Sequence, residues 1–143
     1  MVPQLSVFLQ NKSGKIAAIT RALQYAGVDI RALSIADTTD FGILRMLVNN
    51  IDAAKKALSD QNCIVKVNDV VIVAVPDVPG GLAGVLELMA AEKIDIEYMY
   101  SLFNRGKKDA YMVFRVSDEA RLLSLLRKHS VRTITGDEIG CNR

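Results

Sequence analysis

The sequence predicts an α+β protein in which one folding unit occurs twice. A turn that contains glycine recurs, because Gly80 follows Gly14 by 66 positions. Each turn precedes an apolar-Asp-Ile segment, Val28–Ile30 in the first copy and Ile94–Ile96 in the second. Around both turns the hydrophobic pattern changes from alternation to helical spacing. A repeat of this length indicates a duplicated unit of about 70 residues rather than a solenoid.

The first copy opens with a strand and a helix. Apolar residues alternate between Leu5 and Leu9, which is the period of a strand with one buried face. From Ile16 to Leu23 the apolar residues recur at helical spacing, and Gly27 follows them as a left-handed helix terminator. We therefore expect a strand, a turn and a helix in this order.

The rest of the first copy predicts a hairpin, a second helix and a last strand. Val28–Ala36 and Phe41–Val48 are extended segments, and the polar residues 37–40 join them as a turn. A second amphipathic helix begins near Asn50, and Cys63–Val67 supplies the last strand. The order of elements is βαββαβ.

The second copy repeats this order. Its hairpin turn at residues 104–109 is two residues longer than that of the first copy, and such an insertion costs little in a surface loop. The predicted elements are, in order, the strand Val70–Val75, the helix Gly80–Glu92, the strands Ile96–Phe103 and Ala110–Val116, the helix Asp118–Lys128 and the strand Arg132–Thr135.

Each copy is thus predicted to be a ferredoxin-like unit, an antiparallel four-stranded sheet with both helices on one face. We place the first domain at residues 1–69 and the second at residues 70–143, and we expect the two to be docked together. Val70–Val75 is apolar on both sides, which indicates that its second face is buried as well. Docking of the two copies, or of two chains, would supply that cover.

The composition argues against several classes of function. The chain carries 18 Lys and Arg against 16 Asp and Glu, interleaved along the sequence, so we expect no nucleic-acid-binding surface. No apolar run reaches the ~18 residues of a membrane span, and we expect a cytoplasmic protein. Cys63 and Cys141 lack a paired spacing, and there is one histidine. The residues therefore predict no metal site, no cofactor and no nucleophilic catalysis.

Several segments resemble a known family. Asp77–Ala83, followed by Lys93–Ile96, is similar to the opening of an ACT domain, the small amino-acid-sensing module of many metabolic enzymes. The first copy resembles the same opening in Asn11–Gly14, in Gly27–Ile30 and, later, in Phe41–Arg45. The resemblance covers almost the entire chain, which therefore resembles a stand-alone tandem ACT protein.

The resemblance implies a ligand site where two ACT units meet. It implies that the first strand–helix turn of one unit and the extended segment after the first helix of the other hold the ligand. The implied ligand-binding residues are Asn11, Lys12, Ser13, Gly14, Val28, Asp29 and Ile30 in the first copy, and Asp77, Val78, Pro79, Gly80, Gly81, Leu82, Ile94, Asp95 and Ile96 in the second.

Elementary physics independently favours an anion at these turns. A helix N-terminus presents unpaired N–H groups and about half a positive charge, which suits the carboxylate of an amino acid. Gly14 and Gly80 lack a Cβ and permit a close approach to the backbone, and Pro79 is tolerated near the first helical position. The alternative is that Asn11, Ser13 and Asp77 simply cap the helices.

The two turns differ in charge. Lys12 and Lys15 flank Gly14, whereas Val78 and Gly81 occupy the matching positions of the second copy. The two turns therefore need not bind a ligand equally well.

Two other groups of residues each allow two interpretations. Asp29 and Asp95, or the backbone groups beside them, either hold the ammonium group of the ligand or are simply solvated where a strand begins. Aromatic residues of the second hairpin either line a pocket for a ligand side chain or pack within the protein. This group comprises Tyr98, Tyr100, Phe103 and Tyr111.

We expect a non-catalytic regulatory protein that binds a free amino acid at the interface between ACT units and signals its level through assembly or a partner. The alternative is a protein-interaction subunit of a metabolic enzyme or transcription factor, with a degenerate ligand site. A small ferredoxin-like enzyme is a third interpretation, because a fold does not determine a function. The expected assembly is a homodimer. The sequence pattern does not identify the amino acid or the partner.

Overall fold

A computed structural model of the chain describes residues 1–10, 12–37, 40–102 and 108–141. The elements are, in chain order, β1 Val2–Gln10, α1 Lys15–Tyr25, β2 Ile30–Asp37, β3 Phe41–Val48, α2 Ile51–Ser59, β4 Ile64–Pro76, α3 Gly81–Ala91, β5 Ile96–Ser101, β6 Asp109–Val116, α4 Glu119–Lys128, β7 Thr133–Ile134 and α5 Gly136–Ile139.

The chain forms two compact units. The first unit comprises Pro3–Asn68 together with the residues from Gly136 onward, and the second comprises Asp69–Thr135 together with Met1–Val2. The predicted division after residue 69 follows the sequence repeat, whereas each compact unit also takes in a short terminal piece of the chain. The docking of the two copies stays a prediction.

Each unit contains a four-stranded sheet with the predicted connections. The strand order is β2-β3-β1-β4 in the first unit and β7-β4-β6-β5 in the second. Strand β3 pairs antiparallel with β1 and β2, and β6 pairs antiparallel with β4 and β5. The predicted fold class, two ferredoxin-like βαββαβ units, is confirmed.

The last strand of the first copy and the first strand of the second are one element. The sequence predicts separate strands at Cys63–Val67 and Val70–Val75, but β4 runs without a break from Ile64 to Pro76. Asn68 and Asp69, between the predicted strands, are neither glycine nor proline, and these two residue types most strongly interrupt a strand. The strand therefore continues through these two polar residues.

The C-terminal part also differs from the prediction. The predicted strand Arg132–Thr135 shortens to the two residues of β7, which pair with Ile72 and Val73. The short helix α5 has no counterpart in the first copy. Phe103 and residues 104–107 of the predicted hairpin lie outside the described residues.

Each sheet packs both of its long helices against one face. In the first unit, Leu5 and Val7 of β1 pack with Ile19 and Leu23 of α1 and with Leu58 of α2. The corresponding core residues of the second unit include Val71, Val73, Val85, Met89, Leu122 and Leu126. The opposite face of β4 is buried too, since Val70, Ile72 and Ala74 are at most 8% exposed, as the apolar pattern predicts.

The helices of the two copies also have matching residues at their ends. Gly27 and Lys93 follow the first helix of each copy in the left-handed conformation, with φ of 69° and 54°. Asn50 and Asp118 cap the second helix of each copy through their side chains. Gly27 therefore has the terminating role that the sequence predicts.

Candidate functional site

The two strand–helix turns have the same backbone geometry. Gly14 has φ 83° and ψ −7°, and Gly80 has φ 86° and ψ −11°. Each carbonyl oxygen accepts a hydrogen bond from the N–H four residues later, Ala18 and Gly84, at 3.0 Å. A Cβ added to Gly14 or Gly80 would meet nothing within 4 Å. The space in front of both turns is therefore open to a ligand.

Glycine at both N-cap positions contradicts the interpretation of Ser13 and Asp77 as the helix caps. A glycine cap has no side chain to accept from the first N–H groups of the helix. The N–H groups of Lys15 and Gly81 donate instead to the carbonyl oxygens of Lys12 and Val78, at 3.2 Å and 3.0 Å. Pro79 lies near the first helical position but outside α3, since it directly precedes the cap residue Gly80. Asn11 lies outside the described residues.

A cavity of about 450 Å³ lies beside the first turn. This volume is in the range of small-molecule sites. The ammonium group of Lys15 donates a hydrogen bond to the carbonyl oxygen of Gln61, which fixes that side chain at the cavity. The lining combines cationic, amide and aromatic side chains, and consists of Phe8, Leu9, Gln10, Lys12, Lys15, Phe41, Asn62 and Ile64.

The segments before β2 and β5 hold their backbones in the same way. The N–H of Val28 donates to the carbonyl oxygen of Leu23 at 2.9 Å, and the N–H of Ile94 donates to that of Met89 at 3.0 Å. The side chains of Val28 and Ile94 are buried. Of these two predicted site residues, only the backbone can therefore face a ligand.

The two aspartates at these positions differ in their partners. The carbonyl oxygens of both accept a backbone hydrogen bond, Asp29 from Asn49 at 3.1 Å and Asp95 from Ser117 at 3.3 Å. The Asp29 carboxylate forms an ion pair with Arg31 at 3.0 Å. Asp95 forms no ion pair with any residue in the described ranges. The carboxylate of Asp95 is therefore the one that can accept a ligand ammonium group without losing a partner.

A second cavity, of about 350 Å³, lies at the start of β2. Two polar residues of α1, Thr20 and Gln24, line it together with four residues after the helix, Gly27, Val28, Asp29 and Ile30. The cavity therefore joins three predicted site residues to two that the sequence did not indicate.

Within one unit, the turn and the start of β2 lie at opposite ends of the sheet. Gln10, just before the turn, pairs with Phe41 at the beginning of β3, whereas Ile30 pairs with Val48 at its end. Eight residues of strand β3 separate these ends, a distance of about 24 Å. The two predicted ligand-binding segments of the same unit therefore do not meet.

A comparison with models of protein families decides which family the chain belongs to. The family model described as an ACT domain pair matches residues 1–139. The chain belongs to the ACT domain pair family.

Solved structures share the fold of this ACT pair. A protein from Bacteroides thetaiotaomicron is 40% identical, with a TM-score of 0.88 over 97% of this chain and 95% of that one. The regulatory subunit of aspartate kinase from Thermus thermophilus is 15% identical, with a TM-score of 0.63 over 89% and 91%. The corresponding Thermus flavus subunit is 13% identical, with a TM-score of 0.55 over 90% and 94%. A search of the curated proteins found no match.

The two turns of this ACT pair differ just after the shared glycine. A Cβ on Gly81 would stand 2.0 Å from the carbonyl oxygen of Pro76, so this position accepts only glycine. The first copy carries Lys15 there. The conformation of the turn is therefore conserved between the copies, whereas the side chains around it are not.

The aromatic residues of the second ACT unit are mainly packing residues. Tyr100 and Tyr111 are 8% and 7% exposed, and Tyr98 is half-buried. The register pairs Tyr100 with Val113 and Ala74 with Tyr111, which places both tyrosines on the sheet face opposite the helices. Phe103 lies outside the described residues.

The sequence reasoning missed the aromatic part of the first cavity. Phe8 pairs with Ile43 and Gln10 with Phe41, so the alternating β1 residues that were expected to face away from the core line this cavity. Lys66 stands over the Phe8 ring, with its ammonium nitrogen 5.5 Å from the ring centre. The alternation of β1 could have indicated Phe8, but only the strand pairing brings Phe41 to it.

In the described part of the ACT pair, no helix is long and apolar enough to cross a membrane. Nor do its residues, within the same ranges, include a cluster of three or more His, Cys, Asp or Glu that could hold a metal ion.

Proposed function

We propose that this ACT domain pair is a non-catalytic regulatory protein that binds a free amino acid. The observation that carries the proposal is the repeated turn, in which Gly14 and Gly80 give two helix N-termini the same geometry, open beside each glycine and without a side-chain cap. A helix N-terminus attracts a carboxylate through its free N–H groups and its dipole. The Thermus neighbours are regulatory subunits of aspartate kinase, which supports a regulatory role.

The first turn suits the carboxylate end of an amino acid best. Lys12 adds a positive charge beside the helix N-terminus, and the adjoining cavity of about 450 Å³ has room for a side chain. Phe8 and Phe41 give this cavity apolar walls. A ligand with a carboxylate and an apolar or aromatic side chain matches this lining.

The ammonium end requires a second ACT unit. Asp95 offers a carboxylate without an ion pair in the described residues. Because the turn and the following strand start lie at opposite ends of one sheet, a ligand held by both must take them from different units, in the same chain or in another. Binding would then favour one assembly state over another, which is the condition for a regulatory signal.

A thermal-shift screen with each of the twenty amino acids in the millimolar range tests the proposal. A ligand at 100 times its dissociation constant adds about 2.7 kcal/mol to the free energy of unfolding, enough for a shift of several degrees. The variants Gly14→Asn and Gly80→Asn place a side chain in the open space of one turn each, and asparagine is among the residues that tolerate the positive φ of these positions. Loss of the shift in one variant and its retention in the other would assign the turn that binds the carboxylate.

A protein-interaction role is the second candidate, and β2 favours it. This strand is at one end of the strand order of its unit, and its apolar residues Leu33 and Ile35 are 38% and 50% exposed. Edge strands of this kind pair with other chains. We propose that β2 pairs with β2 of a second copy, since two-fold dimers are the commonest assemblies.

Light scattering of the parent chain and of Ile35→Lys tests this assembly. A dimeric parent and a monomeric Ile35→Lys with an unchanged circular dichroism spectrum are the expected results. A monomeric parent that copurifies with a stoichiometric enzyme would instead identify the chain as a subunit of that enzyme.

A further inference from the structure

The C-terminal segment, residues 136–141, belongs to the first unit although it follows the second copy in the sequence. It consists of α5, then Gly140 with φ 69°, then Cys141, whose N–H donates to the carbonyl oxygen of Gly136 at 2.8 Å. Cys141 is only 2% exposed. The segment is therefore folded onto the first unit and anchored there by a buried side chain.

The segment meets the first unit at the start of β2. A Cβ on Gly140 would stand 3.1 Å from Nη2 of Arg31, so the guanidinium group lies directly against the backbone of this glycine. The other terminal nitrogen of Arg31 is 3.0 Å from the Asp29 carboxylate. Arg31 thus connects a predicted ligand-binding residue to the C-terminal segment.

Asp29 is held firmly enough to orient Arg31. Its N–H donates to the side-chain oxygen of Asn49 at 2.8 Å, and its carbonyl oxygen accepts from the N–H of Asn49 at 3.1 Å. Arg31 itself is the extra residue where the pairing of β2 with β3 shifts between Ile30 and Ala32. A bulge of this kind redirects one side chain out of the regular alternation.

The second copy has the opposite charge at the matching position. The pairing of β5 with β6 shifts between Ile96 and Tyr98, which makes Glu97 the counterpart of Arg31. Glu97 forms an ion pair with Arg115 at 3.2 Å. The Asp95 carboxylate therefore lacks a neighbouring arginine on its own strand, whereas the Asp29 carboxylate is paired with Arg31.

We propose that the two strand starts have different roles, with Arg31 making the start of β2 a latch for the C-terminal segment and Asp95 leaving the start of β5 to bind the ligand ammonium group. The second part rests on the proposed function, whereas the latch does not. In this division the second copy recognises the ligand, and the first copy restrains the C-terminal segment.

The latch is tested by the reactivity of Cys141 in a Cys63→Ser background, which leaves one thiol. An aromatic disulfide reagent that releases a coloured thiolate reports the rate at which the buried thiol becomes accessible. We expect Arg31→Ala to react about two- to fivefold faster, as suits the loss of one exposed ion pair. Gly140→Ala should react faster still, because φ 69° disfavours a Cβ that would also crowd Arg31.

The loss of the Arg31 charge and the loss of the latch predict opposite changes in the labelling rate of Cys141 in Arg31→Ala. Burial raises the pKa of the Cys141 thiol and Arg31 opposes that shift, so removing the charge of Arg31 alone would slow the reaction. Faster labelling therefore reports release of the segment. Glu97→Ala, the matching change in the second copy, is the control and should leave the rate unchanged. Gly84→Ala, which meets no neighbour, is the control for Gly140→Ala.

Hydrogen exchange of residues 136–141 provides a readout that does not depend on the thiol. Faster exchange of these amides in Arg31→Ala, with the rest of the chain unchanged, would support the latch. Labelling and exchange at the parent rate in both Arg31→Ala and Gly140→Ala would overturn it. These outcomes need no ligand, so failure of the latch and failure of amino-acid binding remain distinguishable.

Discussion

A Cβ on Gly81 would stand 2.0 Å from the carbonyl oxygen of Pro76. Side-chain carbons do not approach a carbonyl oxygen this closely, so the end of β4 and the start of α3 fit together only with glycine. The first copy accommodates Lys15 at the same position. The two turns of the ACT pair thus share a conformation, but only the first accepts a side chain at the position after the shared glycine.

Two glycine substitutions in α3 should have opposite effects on stability. Gly81→Ala forces the turn apart and should lower the free energy of unfolding by about 2 to 4 kcal/mol. Gly84→Ala, where a Cβ meets nothing within 4 Å, should raise it by about 1 kcal/mol through helix propensity. Urea denaturation of both variants and the parent measures the differences. A Gly81→Ala variant as stable as the parent would contradict the close approach.

The N-terminal caps of the second helix in each copy should contribute equally to the free energy of unfolding. The side chain of Asn50 accepts a hydrogen bond from the N–H of Ala53, and that of Asp118 from the N–H of Arg121, both at 3.0 Å. Asn50→Ala and Asp118→Ala should each lower the free energy of unfolding by about 1 kcal/mol. Denaturation of the single and double variants checks this, and an unaffected single variant would show that its cap is replaced by water.

Much of the fold follows from the spacing of apolar residues. Strands and helices each bury one face, which gives the alternating period of a strand and the longer period of a helix. The apolar residues of β1 and α1 indicate their elements correctly, and Gly27 indicates where α1 ends. The sequence predicts two strands where β4 is continuous, because a strand continues through polar residues such as Asn68 and Asp69 unless its backbone is interrupted. Helix α5 was missed because contacts with distant residues, among them Arg31, hold the C-terminal segment.

The candidate site was predictable only in part. The turns at Gly14 and Gly80 are visible in the sequence, since glycine marks a left-handed conformation. Strand pairing brings Phe8 and Phe41 to one cavity, and no local pattern encodes that pairing. The role of Arg31 depends on Gly140, more than a hundred residues away in the chain.

Alkaline pH should weaken the structure through Cys141. Burial chiefly raises the pKa of its thiol from 9.0 to about 11, with Arg31 opposing the shift and Asp29 adding to it. The unfolded chain therefore loses this proton first as the pH rises. The stabilisation that the neutral thiol provides is complete below pH 9.0 and declines as the pH approaches about 11. The decline is at most about 1.4 kcal/mol for each pH unit.

A comparison of the parent with Cys141→Ala isolates this effect. Every other ionisable group is common to both proteins, so the difference between the two stability curves reports the thiol. The free energy of unfolding of the parent should fall more steeply between pH 9 and pH 11 than that of the variant. Parallel curves would show that the thiol is not buried in solution.

Amino-acid binding is the central claim, and titration calorimetry of the full chain with each of the twenty amino acids tests it most directly. We predict saturable binding of at least one amino acid, weakened by Asp95→Asn and by one of the variants Gly14→Asn and Gly80→Asn. The absence of binding heat for all twenty, in a protein that unfolds cooperatively, would contradict the account.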